Sequence, residues 1–213
     1  MALIRDDFEH LMNQARVECM GASDAGLKAM FFDTLMEFFT DSNSWTETLS
    51  VPVIPGTQTY TLVPQMGGKI IRLIGVFDPN SIPQQAFMSN FGILGLVLPY
   101  SNPITLTAIV SKTVVRPTTR DSVPDAPDWT LSVYYSYVLD GLLGKMMAQP
   151  GKNYSNQPSS AYHLKRFRTG IQMARVAATR QNTYGAQSWR FPRAATYNQG
   201  QRGGVSTGYP TAF

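Results

Sequence analysis

Chemistry that needs a nucleophile, a proton shuttle or a metal ligand has little to draw on in this chain: two histidines, one cysteine and 14 acids in 213 residues. His10 falls on the polar side of a helical pattern, and His163 sits beside Lys165 and Arg166; both read as surface or rim residues. Cys19 also lies in a helical pattern, has no partner for an intramolecular disulfide, and reads as a buried, inert thiol of a reducing compartment. Neither His-x-x-x-His nor Cys-x-x-Cys spacing occurs. Asp121, Asp125 and Asp128 lack the Gly and Glu pattern of a calcium loop, so turn and helix-cap duty explains them. Gly67-Gly68-Lys69 resembles a phosphate loop only in passing, because it has no upstream Gly at loop spacing and leads into a strand pattern; it reads as a turn. No catalytic, cofactor-binding or metal-ligating residue is therefore assigned, and the chain reads as a protein that is not an enzyme.

Charge is more informative. The last acid is Asp140: residues 1–140 hold 14 acids and 8 bases, whereas residues 141–213 hold 10 bases and no acid. A chain with one acidic and one basic part meets an acidic partner or meets copies of itself head to tail. From about Gln181 the sequence is rich in Gly, Gln, Thr, Asn and Tyr and reads as a tail that orders on something else. Within it, Trp189, Arg190, Phe191, Arg193, Arg202 and Tyr209 are the candidate anchors, since aromatics and Arg carry most of the energy at desolvated protein contacts. Arg202-Gly203-Gly204 is a single RNA-binding-like unit, which keeps a nucleic-acid-binding module as the alternative.

The elements that would position these groups follow from periodicity. Residues 6–20 place Phe8, Leu11, Met12, Ala15 and Cys19 on one helical stripe that stops at Gly21. Ser23 and Asp24 can cap a second helix whose Leu27, Met30, Phe31, Leu35, Phe38 and Phe39 form a broad core face. From Trp45 the period changes to two. Residues 46–53 and 57–63, joined by Pro55-Gly56, read as a β-hairpin, and residues 70–77, 93–98 and 104–115 as further strands of a small antiparallel sandwich or barrel. The segment 78–91 reads as a protruding loop or irregular strand. Helix returns at Pro127 or Asp128, with Trp129, Val133, Tyr137, Leu142, Leu143, Met146 and Met147 inward, and must stop by Pro150-Gly151. A last helix from about Pro158 turns Ala161, Leu164, Phe167, Ile171, Ala174 and Ala178 inward. Lys165, Arg168 and Arg175 share its opposite flank and are the candidate subunit-interface residues.

The reading is thus an α+β fold. N-terminal helices (1–45) and C-terminal helices (121–180) form one helical bundle, a small antiparallel β domain spans 46–120, and an extended C-terminal tail spans 181–213. With 43% hydrophobic residues the chain can bury one full core. The N-terminus lacks the basic-then-apolar order of a signal peptide, and no apolar run approaches the ~20 residues of a membrane helix, so a soluble protein with no membrane contact is expected.

This order and several local phrases resemble the head-to-tail adaptor (connector) proteins of tailed bacteriophages, particularly those of short-tailed phages. The phrases are Phe39-Thr-Asp-Ser-Asn-Ser-Trp45, Pro55-Gly-Thr-Gln-Thr-Tyr-Thr-Leu62, Leu142-Leu-Gly-Lys-Met-Met-Ala-Gln-Pro150 followed by Tyr154-Ser-Asn156, and Ala161-Tyr-His-Leu-Lys-Arg-Phe-Arg-Thr-Gly-Ile-Gln-Met-Ala-Arg175. The resemblance implies a structural virion protein without a catalytic cycle or cofactor: a homo-oligomeric ring, usually a dodecamer, at the head-tail junction, assembled in the host cytoplasm. It implies a portal protein as one partner, docked by the C-terminal tail, a downstream tail or nozzle protein as another, and viral DNA that passes through the ring without specific binding.

Overall fold

The structure, a computed structural model, describes residues 5–90, 92–116 and 123–181. They fold as α+β, with four helices and two three-stranded antiparallel sheets. Helix α1 (Arg5–Glu18) buries Phe8, Leu11, Met12 and Ala15, one stripe at helical spacing, and Cys19 follows it into the core. Helix α2 (Asp24–Ser42) opens on Ser23, whose hydroxyl accepts from the Gly26 N–H at 3.2 Å. It closes on Asn43 in the left-handed region (φ 50°), which returns its N–H to the Phe39 carbonyl. Its Leu27, Phe31, Phe32, Leu35, Phe38 and Phe39 are all buried.

Helix α3 (Trp129–Met147) is the central rod of the bundle. Phe38 of α2 meets its Tyr134 ring at 5.3 Å and, at 6.4 Å, the Phe167 ring of helix α4 (Gln157–Gln181), separations at which tilted aromatic rings attract. Three glycines, Gly141, Gly144 and Gly170, bring α3 and α4 together, Gly144 against Leu164. A Cβ on Gly141 would lie 2.6 Å from the Phe167 ring, and one on Gly170 would lie 2.4 Å from the Tyr137 Cβ. The inward face of α3 differs from the simple stripe: Val133 is exposed, and Leu131 and Val138 are buried instead. Leu131, Val138, Leu142 and Met146 recur at spacings of seven, four and four, a stripe about half a turn away from Val133, and the non-helical angles of Tyr134 (φ −113°, ψ 19°) do not interrupt it. On α4, Phe167, Ile171, Ala174 and Ala178 are buried as the spacing predicts, but Ala161 is exposed. Ser160 takes the inward place because it lies two helical turns before Phe167, and its hydroxyl donates to the Gly144 carbonyl at 2.7 Å.

Between α2 and α3 the chain forms β1 (Thr46–Val53), β2 (Thr59–Thr61), β3 (Lys69–Phe77), β4 (Ala86–Asn90), β5 (Ile93–Leu96) and β6 (Ile104–Thr113). One sheet has the order β1-β6-β3 and the other β2-β5-β4. Their shared core is aliphatic, with Leu49, Val51, Val53, Ile70, Val76, Leu94, Leu96, Leu106, Ala108 and Val110 buried. The hairpin read across Pro55-Gly56 is not formed: β1 pairs with β6 from Thr46↔Ser111 to Val53↔Ile104, and β2 pairs with β5. The long strand β6 offers β1 a continuous ladder with its alternating apolar face in register, which a three-residue β2 cannot match. Of the segment 78–91, residues 78–90 form a turn held by the Asp78 carboxylate, which accepts from the N–H groups of Asn80 and Ile82, followed by β4.

Candidate interaction surfaces

The charged residues that the fold takes out of water define two seams. The first joins the β domain to the bundle. Lys112 on β6 is fully buried, with its Nζ 3.0 Å from Glu47 Oε2 on β1 and 4.5 Å from the Trp45 ring centre. Nζ donates to the carbonyls of Met66 (2.8 Å) and Gly67 (3.0 Å), while Glu47 Oε1 accepts from the N–H groups of Gln65 and Met66. This seam pins loop 64–68 against both strands. Gly67 and Gly68 sit at positive φ (55° and 74°) in that loop, consistent with a turn leading into β3 rather than a phosphate cradle. Lys112 went unremarked in the sequence. Its one signal was a cation inside the apolar run Ile104–Val115, where burial demands a partner.

The second seam joins α3 to α4 at Asp140, the last acid of the chain. Its buried carboxylate receives His163 Nδ1 at 2.7 Å and Arg166 Nε at 3.2 Å. His163 is therefore not a free rim residue but a half-buried partner of Asp140, with Tyr162 edge-on to its ring and Arg166 over the Tyr162 face. The i, i+3 spacing of His163 and Arg166 was the legible sign that both point the same way. Farther along the bundle, Lys145 bridges to Glu37 at 2.6 Å and donates to the Asp33 carbonyl, and Arg116 pairs with the Asp33 carboxylate.

Outside these seams the bundle has two different flanks. On α4, Lys165, Arg168 and Arg175 are all exposed, as are Tyr162, Met173 and Val176, at 58%, 51% and 49%. A shallow depression runs along this helix between Ala161, Lys165, Arg168 and Gln172. On α1, Asp6 is exposed at the N-terminal end and Glu18 at the C-terminal end, where Val17 and, in the turn that follows the helix, Met20 are exposed at 70% and 75%. Arg5 pairs with Glu9, and Arg16 with Asp24. Tyr135 of α3 donates its hydroxyl to Gln14 of α1 at 2.8 Å and stacks on His10; burial, with the charge of Asp7 adding to it, raises its pKa. In the β domain, Pro83, Gln84, Val97, Leu98 and Tyr100 line an open groove.

Burial, aided by the charge of Glu18, pushes the Cys19 thiol up to about 11, as suits an inert side chain. Among the described residues no three His, Cys, Asp or Glu gather to hold a metal ion, and no helix is long and apolar enough to cross a membrane. The candidate anchors Trp189, Arg190, Phe191, Arg193, Arg202 and Tyr209 lie outside the described residues, as does Asp121. No protein-family model and no curated protein sequence matches the chain.

Proposed function

We propose that this chain is a structural adaptor of a tailed-phage virion, a subunit of a homo-oligomeric ring that joins the portal of the head to the next tail component. The observation that carries the reading is the arrangement of the bundle: helices from both ends of the described chain close around one aromatic core, with the β domain inserted between α2 and α3. That order is the one on which the resemblance to head-to-tail adaptors rests. The helix that leads into residues 182–213 carries five bases and no acid, which suits a C-terminal segment directed to an acidic or grooved partner. Many such segments on one ring act together, so each docked tail raises the effective concentration of the rest. Viral DNA would pass through the ring without being gripped.

The test is to measure mass by light scattering for the purified chain alone and with the portal ring of the same virion, using the full chain and a truncation after Gln181. The full chain is expected to form rings on the portal, and the truncation to stay folded but fail to attach. Normal attachment without the tail would overturn the docking role, and a full chain indifferent to the portal would overturn the adaptor. The exposed row Lys165, Arg168 and Arg175 favours one second reading, a nucleic-acid-binding module. That reading requires retention on DNA that weakens steeply with salt, and absence of such retention dismisses it.

A further inference from the structure

We infer that the outer faces of α1 and α4 are the two halves of a head-to-tail contact between copies of this chain, α4 of one copy lying against α1 of the next. The inference rests on the oligomeric part of the adaptor reading and supplies the surfaces that reading leaves open.

The geometry starts from α3. Tyr135 reaches α1 through its hydrogen bond to Gln14, and Tyr137 packs on α4 at Gly170. Successive helical residues turn by ~100°, so two residues stand about 200° apart and α1 and α4 occupy opposite flanks of the same rod. Both tyrosines follow the non-helical angles of Tyr134, so the helical phase between them is regular. Charge divides along the same line. Helix α1 carries four acids and two bases, whereas α4 carries five bases and no acid. On the exposed faces, Asp6 and Glu18 of α1, and Lys165, Arg168 and Arg175 of α4, make no ion pair among the described residues.

Exposed ion pairs alone bind weakly, so charge by itself would not hold two copies together. Each flank also presents apolar side chains. Tyr162, Met173 and Val176 recur on one stripe of α4, beside the basic stripe, and Val17 and Met20 stand at the C-terminal end of α1. The apolar groups provide the desolvated centre of a contact; the charges set its register and reject the wrong face. Joining α4 to α4 would place Lys165, Arg168 and Arg175 of one copy against the same three bases of the next, which selects the heterologous pairing. Two different surfaces on opposite flanks propagate a contact from copy to copy until a ring closes. A polyanion, by contrast, would use α4 and leave the α1 flank without a role.

The experiment compares four samples of the full chain by sedimentation velocity, at low and high salt: the wild type, the α4 variant K165E/R168E/R175E, the α1 variant D6K/E18K, and an equimolar mixture of the two variants. Circular dichroism establishes that each remains folded. The wild type is expected to self-associate, more strongly at low salt, and each variant to lose association by at least about tenfold. The mixture is expected to regain it, because reversed α4 faces then meet reversed α1 faces in alternating copies. A separate variant, Met173→Arg, leaves the three α4 bases in place and is expected to block association through the apolar stripe. Variants that assemble as the wild type does would overturn these surfaces while leaving the oligomeric reading intact. A mixture that fails to recover would overturn the pairing of α1 with α4. A wild type that remains monomeric both alone and on the portal ring would overturn both; salt-sensitive DNA retention lost in the α4 variant would then assign the basic face to a polyanion.

Discussion

Lys112 and Asp140 are both charged residues taken out of water, yet their seams keep very different amounts of it. At the junction of the β domain and the bundle, the Lys112 and Glu47 side chains are 0% and 4% exposed. At the α3–α4 seam, Asp140 is 6% exposed, but its partners His163 and Arg166 are 19% and 44% exposed. The first seam is closed on all sides by Trp45, the strands and loop 64–68, so each charge depends on the other and on backbone groups for its solvation. In the second, only the acid is committed, and both of its partners retain a path to water. One difference in burial therefore separates a dry structural joint from an ion pair that stays open to water on one side.

The largest break in this comparison is expected from Lys112→Met, which strands Glu47 in a dry site and should cost about 3–5 kcal/mol in denaturant unfolding. The double variant Lys112→Met, Glu47→Leu should recover most of that loss, because no unpaired charge remains. Next comes Gly141→Val, whose side chain would run into Phe167 and Thr34; overpacking of this kind costs about 1–3 kcal/mol by the same measurement. Asp140→Asn should cost less, about 1 kcal/mol, since water can serve the freed His163 and Arg166. A loss from Asp140→Asn equal to that from Lys112→Met would erase the distinction between the seams. Arg168→Glu should change the stability of the monomer by less than about 0.5 kcal/mol, placing its effect in assembly alone.

The smallest effect is expected from Cys19. A thiol pushed from 9.0 to about 11 by burial favours its protonated form in the folded state. Its contribution to stability is then full below the unfolded thiol value and lost as the pH rises from 9.0 towards about 11, so no pH dependence from this group is expected near neutrality. Alkylation at neutral pH should follow global unfolding; rapid labelling of the native chain would contradict a buried thiol.

Legibility in the sequence followed the range of the interactions. The apolar stripe of α1 and the aromatic face of α2 were readable because a helix sets its own neighbours at three and four residues. In α3 two apolar stripes compete, one through Val133 and Tyr137 and one through Leu131, Val138, Leu142 and Met146, and only packing against the other helices shows that the second faces inward. On α4, four of six inward positions were buried and Leu164 half-buried, while Ala161 lost its place to a serine that could be buried because Gly144 offered it a carbonyl. Strand-forming stretches were visible from residue 46 onward, but their partners were not: the chain does turn at Pro55-Gly56, with the Thr57 N–H donating to the Ile54 carbonyl at 3.1 Å, and only β6 shows why the strands on either side of that turn do not pair.

By itself the sequence determined the α+β class, the helical faces, the strand-rich middle and the segregation of charge after Asp140, because each depends on composition or on spacing within one element. Tertiary structure decided which strand pairs with which, that Lys112 is dry, and that His163 and Arg166 spend themselves on Asp140 while Lys165, Arg168 and Arg175 stay exposed. The physical reason is that burial and solvation belong to a place rather than to a residue type. The same cation is a joint when the chain closes around it and a hydrated surface charge when it does not.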